Sequence, residues 1–305
     1  MKLEVDFAGL FEGEAGEKAR AAAARFSLED VEGPQDPAFA QAYGALEGYF
    51  GPLGEIERRE VHERFAASPR YARGPYEMRY HLVLARDEAG EVVGARDCTV
   101  ALCAESRVCV VYLAHALVRP AYRRSGLAAL FRLLPVQFGR TAIHAAGFAQ
   151  DEVDLLLAVE QEPVDPVKMD SVVRLCAYGR SGFSVVDPAV LPYSQPDFRD
   201  LAALGVEASP VPLMAVVRWV GKEKVRELPA RLCAAYVTHL YDGIHGSHCR
   251  AEDLAPLRDF ALGRLETSGL ARVPLLPLPE RPEDAEALTR LHQDRVVPLI
   301  TPPRA

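Results

Sequence analysis

The sequence lacks the features that mark several classes of protein. It has 305 residues, and none of its apolar stretches is long enough to cross a membrane. No basic-then-apolar leader opens it. Its 35 lysines and arginines are outnumbered by 43 aspartates and glutamates, so the formal net charge is −8, whereas a nucleic-acid binder needs a basic face. We therefore expect a soluble, cytoplasmic protein that binds neither nucleic acid nor membrane.

Cysteine is present, but in no pattern that predicts a disulfide framework or a metal site. The six cysteines are scattered, and no two of them are spaced as Cys-x-x-Cys. His239, His245 and His248 precede Cys249 and could be mistaken for zinc ligands. A zinc site usually needs a second pair of ligands at matched spacing, and none is evident. We therefore expect no metal.

Apolar residues make up 49% of the chain and charged residues 26%, which is enough to build a large globular core. Apolar, β-branched runs on either side of the turn at 86–90 predict an antiparallel hairpin over 80–101. Further strands are predicted at 108–118, 153–159, 183–186 and 212–220, and helices at 127–138, 140–147 and 167–179. The predicted strands come first, and strands then alternate with helices. This order predicts a mixed α/β fold whose N-terminal half is antiparallel.

Beyond Gly221 the composition changes. Residues 223–240 and 251–268 have helical patterns, and the tail from Val273 is rich in proline and leucine. We therefore expect residues 1–221 to form one domain and residues 222–305 to form a mainly helical extension.

A short loop with two arginines and a glycine connects a predicted strand to a predicted helix. It reads Arg123-Arg124-Ser125-Gly126-Leu127-Ala128. Backbone N–H groups at a helix start, beside fixed cationic side chains, bind phosphate-type anions. Gly126 lets the backbone approach a ligand closely or take a positive φ. From these six residues alone, an ordinary surface turn with solvated arginines is an equal alternative.

Three segments in the same order resemble the GNAT-type N-acetyltransferase superfamily. That family has a strand ending in Val-x-Pro, followed by Arg/Gln-x-x-Gly-x-Gly/Ala. This chain has Val118-Arg119-Pro120 and then the loop 123–128. The hairpin Gly90-Glu-Val-Val-Gly94 and the later Tyr178-Gly-Arg-Ser-Gly182-Phe183 also resemble family segments. The resemblance covers about residues 80–186 and extends toward 220.

The resemblance implies a GNAT-like acyl-CoA N-acyltransferase fold with splayed parallel central strands, here 108–118 and 153–159. Acetyl-CoA, the donor substrate, would lie between them. The backbone of Ala116, Leu117 and Val118 would hydrogen-bond its pantetheine, as in β-augmentation. The pyrophosphate would be held by the loop, namely by Arg123, Arg124, Ser125, Gly126, Leu127 and Ala128.

The implied chemistry is direct attack of a neutral primary amine on the thioester in a ternary complex. A base must first remove a proton from the amine, and the departing thiolate benefits from an acid. Tyr178 matches the family tyrosine and is the expected acid. Glu160, or less favourably Glu162, follows the strand 153–159 and is the expected base, although a solvated surface acid is an equally ordinary interpretation. His115 is expected to be a core histidine with satisfied hydrogen bonds.

The sequence leaves the acceptor and two alternatives open. The acceptor is expected to be a small-molecule or peptide amine, with pockets built from the variable regions 37–79 and 188–210. Acidic residues around 151–170 favour a cationic one. The alternatives are an acyltransferase that uses a longer acyl-CoA, and a non-catalytic CoA-binding or regulatory module. A homodimer is also left open.

Overall fold

The structure is a computed structural model that describes residues 2–7, 14–198 and 209–296. The chain divides into two compact units, Met1–Leu155 and Leu156–Ala305. Both contain helices and hydrogen-bonded strands, which confirms the predicted mixed α/β class. The predicted division into a domain over 1–221 and an extension over 222–305 stays a prediction.

The first unit is built on an antiparallel sheet, as the sequence predicts for the N-terminal half. The strands pair in the order β1-β3-β4-β5, with β2 on β3 and β6 on β4. The elements are α1 (Glu14–Arg25), β1 (Ser27–Asp30), α2 (Pro37–Phe50), α3 (Arg59–Ala67), β2 (Arg70–Arg73), β3 (Tyr76–Arg86), β4 (Val92–Cys103), β5 (Val108–Tyr112), β6 (Ala116–Val118) and α4 (Leu127–Ala145).

Neighbouring residues of β4 face opposite layers of helices, because side chains alternate along a strand. Ala95 belongs to a buried cluster that includes Phe39 and Leu46 of α2. A Cβ atom on Gly94 would instead lie 3.1 Å from the ring of Phe131 in α4. The sheet of this unit is therefore covered by α2 on one face and by α4 on the other.

The single strand predicted over 108–118 is two strands separated by a bulge. Thr99 of β4 lies opposite Tyr112, and Arg96 lies opposite Ala116. Two residues of β4 therefore face the three residues 113–115. One extra residue of this kind is a β-bulge, which bends a strand and is common beside active sites.

The two helices predicted over 127–138 and 140–147 are one helix, α4, which continues through Pro135. Gly139 explains part of this continuity. A Cβ atom there would lie only 2.5 Å from the side chain of Leu155 and 3.0 Å from that of Val111. Close packing of the helix on the strands thus outweighs the local signals of Pro135 and Gly139 for a break.

The second unit has a sheet in the order β7-β10-β8-β12-β11, paired antiparallel between β10 and β7, β10 and β8, β12 and β8, and β11 and β12. The short strand β9 pairs with β10. The elements are β7 (Asp154–Gln161), α5 (Met169–Gly179), β8 (Ser184–Val186), β9 (Tyr193–Gln195), β10 (Val211–Trp219), β11 (Glu227–Pro229), α6 (Ala230–Thr238), a π-helical turn (His239–Ile244), α7 (Ala251–Ser268), β12 (Arg272–Pro277) and α8 (Ala285–Gln293).

Residues beyond 221 contribute strands as well as helices. The helix predicted over 223–240 begins only at Ala230, because 227–229 form β11 and pair with β12. In turn β12 pairs with β8. The C-terminal part of the chain is thus hydrogen-bonded into the sheet of the second unit.

Candidate functional site

The loop between β6 and α4 has two residues with a positive φ. They are Arg124 at 66° and Gly126 at 91°, the latter in the N-cap position of α4. Glycine adopts this conformation at no steric cost, whereas for arginine it is unfavourable. Strained residues of this kind cluster at ligand-binding sites. The Arg123 and Arg124 side chains are exposed.

Three backbone N–H groups of this loop donate to no acceptor in the described part of the chain. The Ser125 N–H donates to the Tyr122 carbonyl at 3.3 Å, and the Leu127 N–H donates to the Ser125 hydroxyl at 3.4 Å. Among the described residues, no hydrogen bond takes up the N–H of Arg124, Gly126 or Ala128. Such donors at a helix start, beside two exposed guanidinium groups, can bind an anion.

Gly126 also packs closely against α1. A Cβ atom at this position would lie 2.7 Å from the carbonyl oxygen of Lys18 and 3.0 Å from the Cβ of Ala22. The glycine is therefore required by the contact between α1 and α4 as well as by its φ. The sequence motif indicated the loop but not this contact.

The backbone of β6 presents one edge to β4 and the other away from it. The Asp97 N–H donates to the His115 carbonyl, and the Arg119 N–H donates to the Val93 carbonyl. Because backbone groups alternate along a strand, Leu117 also faces β4, whereas the N–H and C=O groups of Ala116 and Val118 face the opposite edge. In the described part of the chain, β4 is the strand that pairs with β6.

A contact between turns holds the start of the loop. The Tyr122 hydroxyl donates to the Asp87 carboxylate at 2.5 Å and so joins residues 120–122 to the turn between β3 and β4. This hydrogen bond lowers the pKa of Asp87 and raises the pKa of Tyr122. The position of the loop is therefore coupled to the hairpin that precedes it.

Glu160, the predicted base, lies near the end of β7 in a buried polar cluster of the second unit. Its side chain is 2% exposed. Both carboxylate oxygens have donors: His245 Nε2 lies 2.7 Å from Oε1, and Gln195 Nε2 donates to Oε2 at 2.8 Å. The Tyr193 hydroxyl also donates to Oε1 and lies 3.1 Å from His245 Nε2. We call Glu160, Tyr193, Gln195 and His245 the Glu160 cluster.

The other predicted acid–base residues lie outside the hydrogen bonds of this cluster. Tyr178, in the last turn of α5, packs its ring edge-on against Phe183 at a centroid distance of 5.1 Å. Its hydroxyl has no hydrogen-bond partner among the described residues. Glu162 is bound by Arg174 at 2.7 Å and is 35% exposed. Glu162 thus fits the surface-acid interpretation.

His115, the last residue of the bulge, is a core histidine with satisfied hydrogen bonds, as expected. Its Nδ1 lies 3.0 Å from the Asp97 carboxylate, and its Nε2 lies 2.7 Å from the Glu55 carbonyl. Burial opposes its charge most strongly, but the Asp97 carboxylate, the Glu57 charge and the Glu55 carbonyl together outweigh burial and raise the pKa of His115 to about 9. Asp97 also lies near His62, whose Nδ1 is 2.8 Å from the Tyr80 hydroxyl.

No group of three or more His, Cys, Asp or Glu side chains in the described ranges is arranged to hold a metal ion. Of the histidines near Cys249, His245 contacts Glu160, and His239 Nδ1 lies 2.7 Å from the Ala235 carbonyl. Over the same described ranges, no helix combines the length and apolarity that a membrane span requires.

No family model matches the chain, and no curated protein matches it. Solved structures do match, and N-acetyltransferases are among them. One is a GCN5-related glucosamine N-acetyltransferase region of a fungal multi-domain β-N-acetylglucosaminidase, with a TM-score of 0.38 and 14% identity over 53% of this chain. The chain spans only 17% of that protein.

Two further matches cover most of the matched protein. An aminoglycoside acetyltransferase from an uncultured soil metagenomic sample has a TM-score of 0.34 and 17% identity, over 48% of this chain and 85% of that one. A spermidine N-acetyltransferase chimera from Vibrio cholerae and hSSAT has a TM-score of 0.36 and 10% identity, over 64% of this chain and 97% of that one. These matches have identities of 10–17% and TM-scores of 0.34–0.38, so the function of the chain has to be inferred from its own residues.

Proposed function

We propose that this protein is an N-acetyltransferase that transfers the acetyl group of acetyl-CoA to a primary amine. The observation that carries the proposal is the loop before α4. It presents the N–H groups of Arg124, Gly126 and Ala128 together with two exposed guanidinium groups. Several donors and two positive charges within six residues suit a pyrophosphate better than a single carboxylate.

The strand before the loop supports the same donor. The N–H and C=O groups of Ala116 and Val118 face away from β4. An extended ligand with amide groups, such as pantetheine, binds an edge of this kind through backbone hydrogen bonds. The order of strand edge and then anion loop matches the order of pantetheine and pyrophosphate in CoA.

The transfer needs a neutral amine and a leaving thiolate. As the nitrogen–carbon bond to the acetyl group forms, the carbon–sulfur bond breaks and its electron pair goes to the CoA sulfur. We propose that Glu160 accepts the proton of the acceptor's ammonium group through a water, since its side chain is 2% exposed. Tyr178, whose hydroxyl makes no hydrogen bond within the described part of the chain, is the proposed proton donor to the thiolate.

The acceptor is proposed to be an amine in a small molecule or a peptide. Some of the matched structures are named for the amines that they acetylate, an aminoglycoside and spermidine. Both of these amines are cationic. The net charge of −8 favours a cationic partner for this chain. We propose a cytoplasmic enzyme for which acetyl-CoA is the donor and a metal is not required.

Arg124→Gly tests the proposal with little risk to folding, because glycine tolerates the φ of 66°. We expect acetyl-CoA to bind this variant about ten- to a hundredfold more weakly, since a hydrogen bond to a charged group is worth about 1.5–3 kcal/mol. Isothermal titration calorimetry gives the dissociation constant. The matched control is Arg107→Gly, at the other non-glycine residue with a positive φ in the described ranges.

Equal affinity of both variants and the wild type would contradict the phosphate-binding role of the loop. Release of CoA thiol with a panel of primary amines then separates an enzyme from a binding module. Tight acetyl-CoA binding without thiol release would favour the non-catalytic alternative. Binding of only longer acyl-CoAs would favour the other alternative.

A further inference from the structure

The Glu160 cluster joins residues that are far apart in the sequence. Glu160 and His245 are separated by 85 positions, yet His245 Nε2 lies 2.7 Å from the carboxylate. The His245 side chain is 0% exposed. A carboxylate taken out of water is costly unless donors replace its hydration, and here His245, Tyr193 and Gln195 do so.

The backbone before His245 is unusual in a way that sets the position of this residue. The chain leaves α6 through the π-helical turn His239–Ile244 and then forms a short 3-10 turn over 245–247. A π-helical turn includes one residue more than an α-helical turn of the same span and is often found at functional sites. The local backbone therefore departs from a regular helix at the point where His245 reaches Glu160.

We propose that His245 is a positioning residue that keeps Glu160 ionised and correctly oriented to accept a proton. This inference rests on the proposed acetyltransferase function. Hydrogen bonds to a carboxylate favour its charged form, and donors on both oxygens prevent it from rotating. A general base must be unprotonated at the working pH and held in a fixed direction.

Phenols from three elements lie around Glu160 in the described part of the chain. Tyr193, Tyr236 and Tyr241 come from β9, α6 and the π-helical turn. Burial raises the pKa of Tyr236 and of Tyr241, and the Glu160 charge raises both further. With their pKa raised, neither Tyr236 nor Tyr241 gives up its proton to Glu160, and His245 is the imidazole in direct contact with the carboxylate.

Two variants of His245 test the proposal, one without a donor and one with. His245→Leu should lower kcat about tenfold or more and leave the KM for acetyl-CoA nearly unchanged, because only proton transfer is affected. The acid limb of its kcat/KM profile should move to higher pH, since Glu160 is then protonated more easily. His245→Gln keeps a side-chain N–H donor and should restore most of kcat and most of the wild-type pH profile.

His239→Gln is the matched control. His239 is also a buried histidine, 1% exposed, and its Nδ1 lies 2.7 Å from the Ala235 carbonyl. We expect this variant to lose stability without any shift of the pH profile. If His239→Gln and His245→Leu change the profile equally, or if neither changes it, His245 has a structural role only.

A measurement without turnover separates this inference from the proposed function. Carbon-13 NMR of glutamate-labelled full-length protein follows the ionisation of the Glu160 carboxyl directly, with Glu160→Gln to assign its signal. The signal should show the carboxylate to a lower pH in the wild type than in His245→Leu. If the wild type shows this lower titration but releases no CoA thiol with any amine, the proposed function is overturned and the role of His245 stands. Identical titrations in both proteins would overturn the role of His245, whether or not the wild type is active.

Discussion

A histidine whose two ring nitrogens both face acceptors carries a proton on each of them. His115 meets this condition, because Nδ1 faces the Asp97 carboxylate and Nε2 faces the Glu55 carbonyl. Its imidazolium therefore links the bulge before β6 to the segment between α2 and α3. Burial is the largest single influence and lowers the pKa, but Asp97, Glu57 and the Glu55 carbonyl together outweigh it and raise the pKa to about 9.

This geometry makes the stability of the first unit depend on pH. The pKa of His115 is raised from the ordinary 6.5 to about 9, so its contribution is complete below pH 6.5 and is lost as the pH rises through 9. Between pH 6.5 and 8.5 we expect the free energy of unfolding to fall by up to about 1.4 kcal/mol per pH unit. Urea titrations at several pH values measure it.

His115→Gln provides the comparison for that measurement, because glutamine cannot carry the charge. Its free energy of unfolding should be lower at pH 6.5 and should lack the fall that His115 causes. A fall of the same size in this variant would contradict the protonated state derived for His115.

At the scale of elements, the sequence predicted those strands and helices whose formation depends on residues adjacent in the chain. The hairpin β3–β4, the strand β7 and the helix α7 have periodic apolar patterns or turn residues of their own. The bulge at 113–115 has no such signal, because it exists only in the register between β4 and its partner. Likewise, the loop 123–128 was predictable from a contiguous motif, whereas the pairing of Glu160 with His245 depends on the fold.

The contact between α1 and α4 at Gly126 makes a prediction about packing. Gly126→Ala should lower the free energy of unfolding by about 1–2 kcal/mol from its positive φ, and by more because its Cβ would lie 2.7 Å from the Lys18 carbonyl. Gly147→Ala is the control, since it has a φ of 84° and nothing within 4 Å of the added carbon. Urea unfolding compares the two.

An equal loss in both variants would show that α1 does not pack closely on Gly126. The comparison also matters for the loop 123–128, because a larger residue at position 126 would disturb the packing of α1 on α4 as well as the binding of a ligand. Arg124→Gly is for this reason the cleaner test of acetyl-CoA binding.

At the scale of the whole molecule, five of the six cysteines are buried and Cys249 is half-buried. Burial raises the pKa of Cys98, Cys109 and Cys233 to about 12. A thiol reacts through its thiolate, so these three are doubly protected, by inaccessibility and by protonation. Two of these cysteines, Cys98 and Cys109, belong to the first compact unit, and Cys233 belongs to the second.

We therefore expect Ellman's reagent to label Cys249 first in the native protein and all six cysteines in denaturant. The time course at 412 nm measures it, and Cys249→Ser should remove the early phase. Rapid labelling of several thiols in the native protein would contradict the burial of the other five. The same experiment sets the background for any assay of CoA thiol release.

The π-helical turn before His245 has a consequence for changes in chain length. Each residue of a regular helix turns the chain by about 100°. Deleting one residue from the regular helix α6 would therefore rotate His245 by about that angle and turn it away from Glu160. Deleting one from His239–Ile244, such as Gly243, would instead convert the π-helical turn into an α-helical turn of the same span, and the following residues would keep their direction. The π-helical turn is therefore a segment in which the chain can lose one residue and still bring His245 to Glu160.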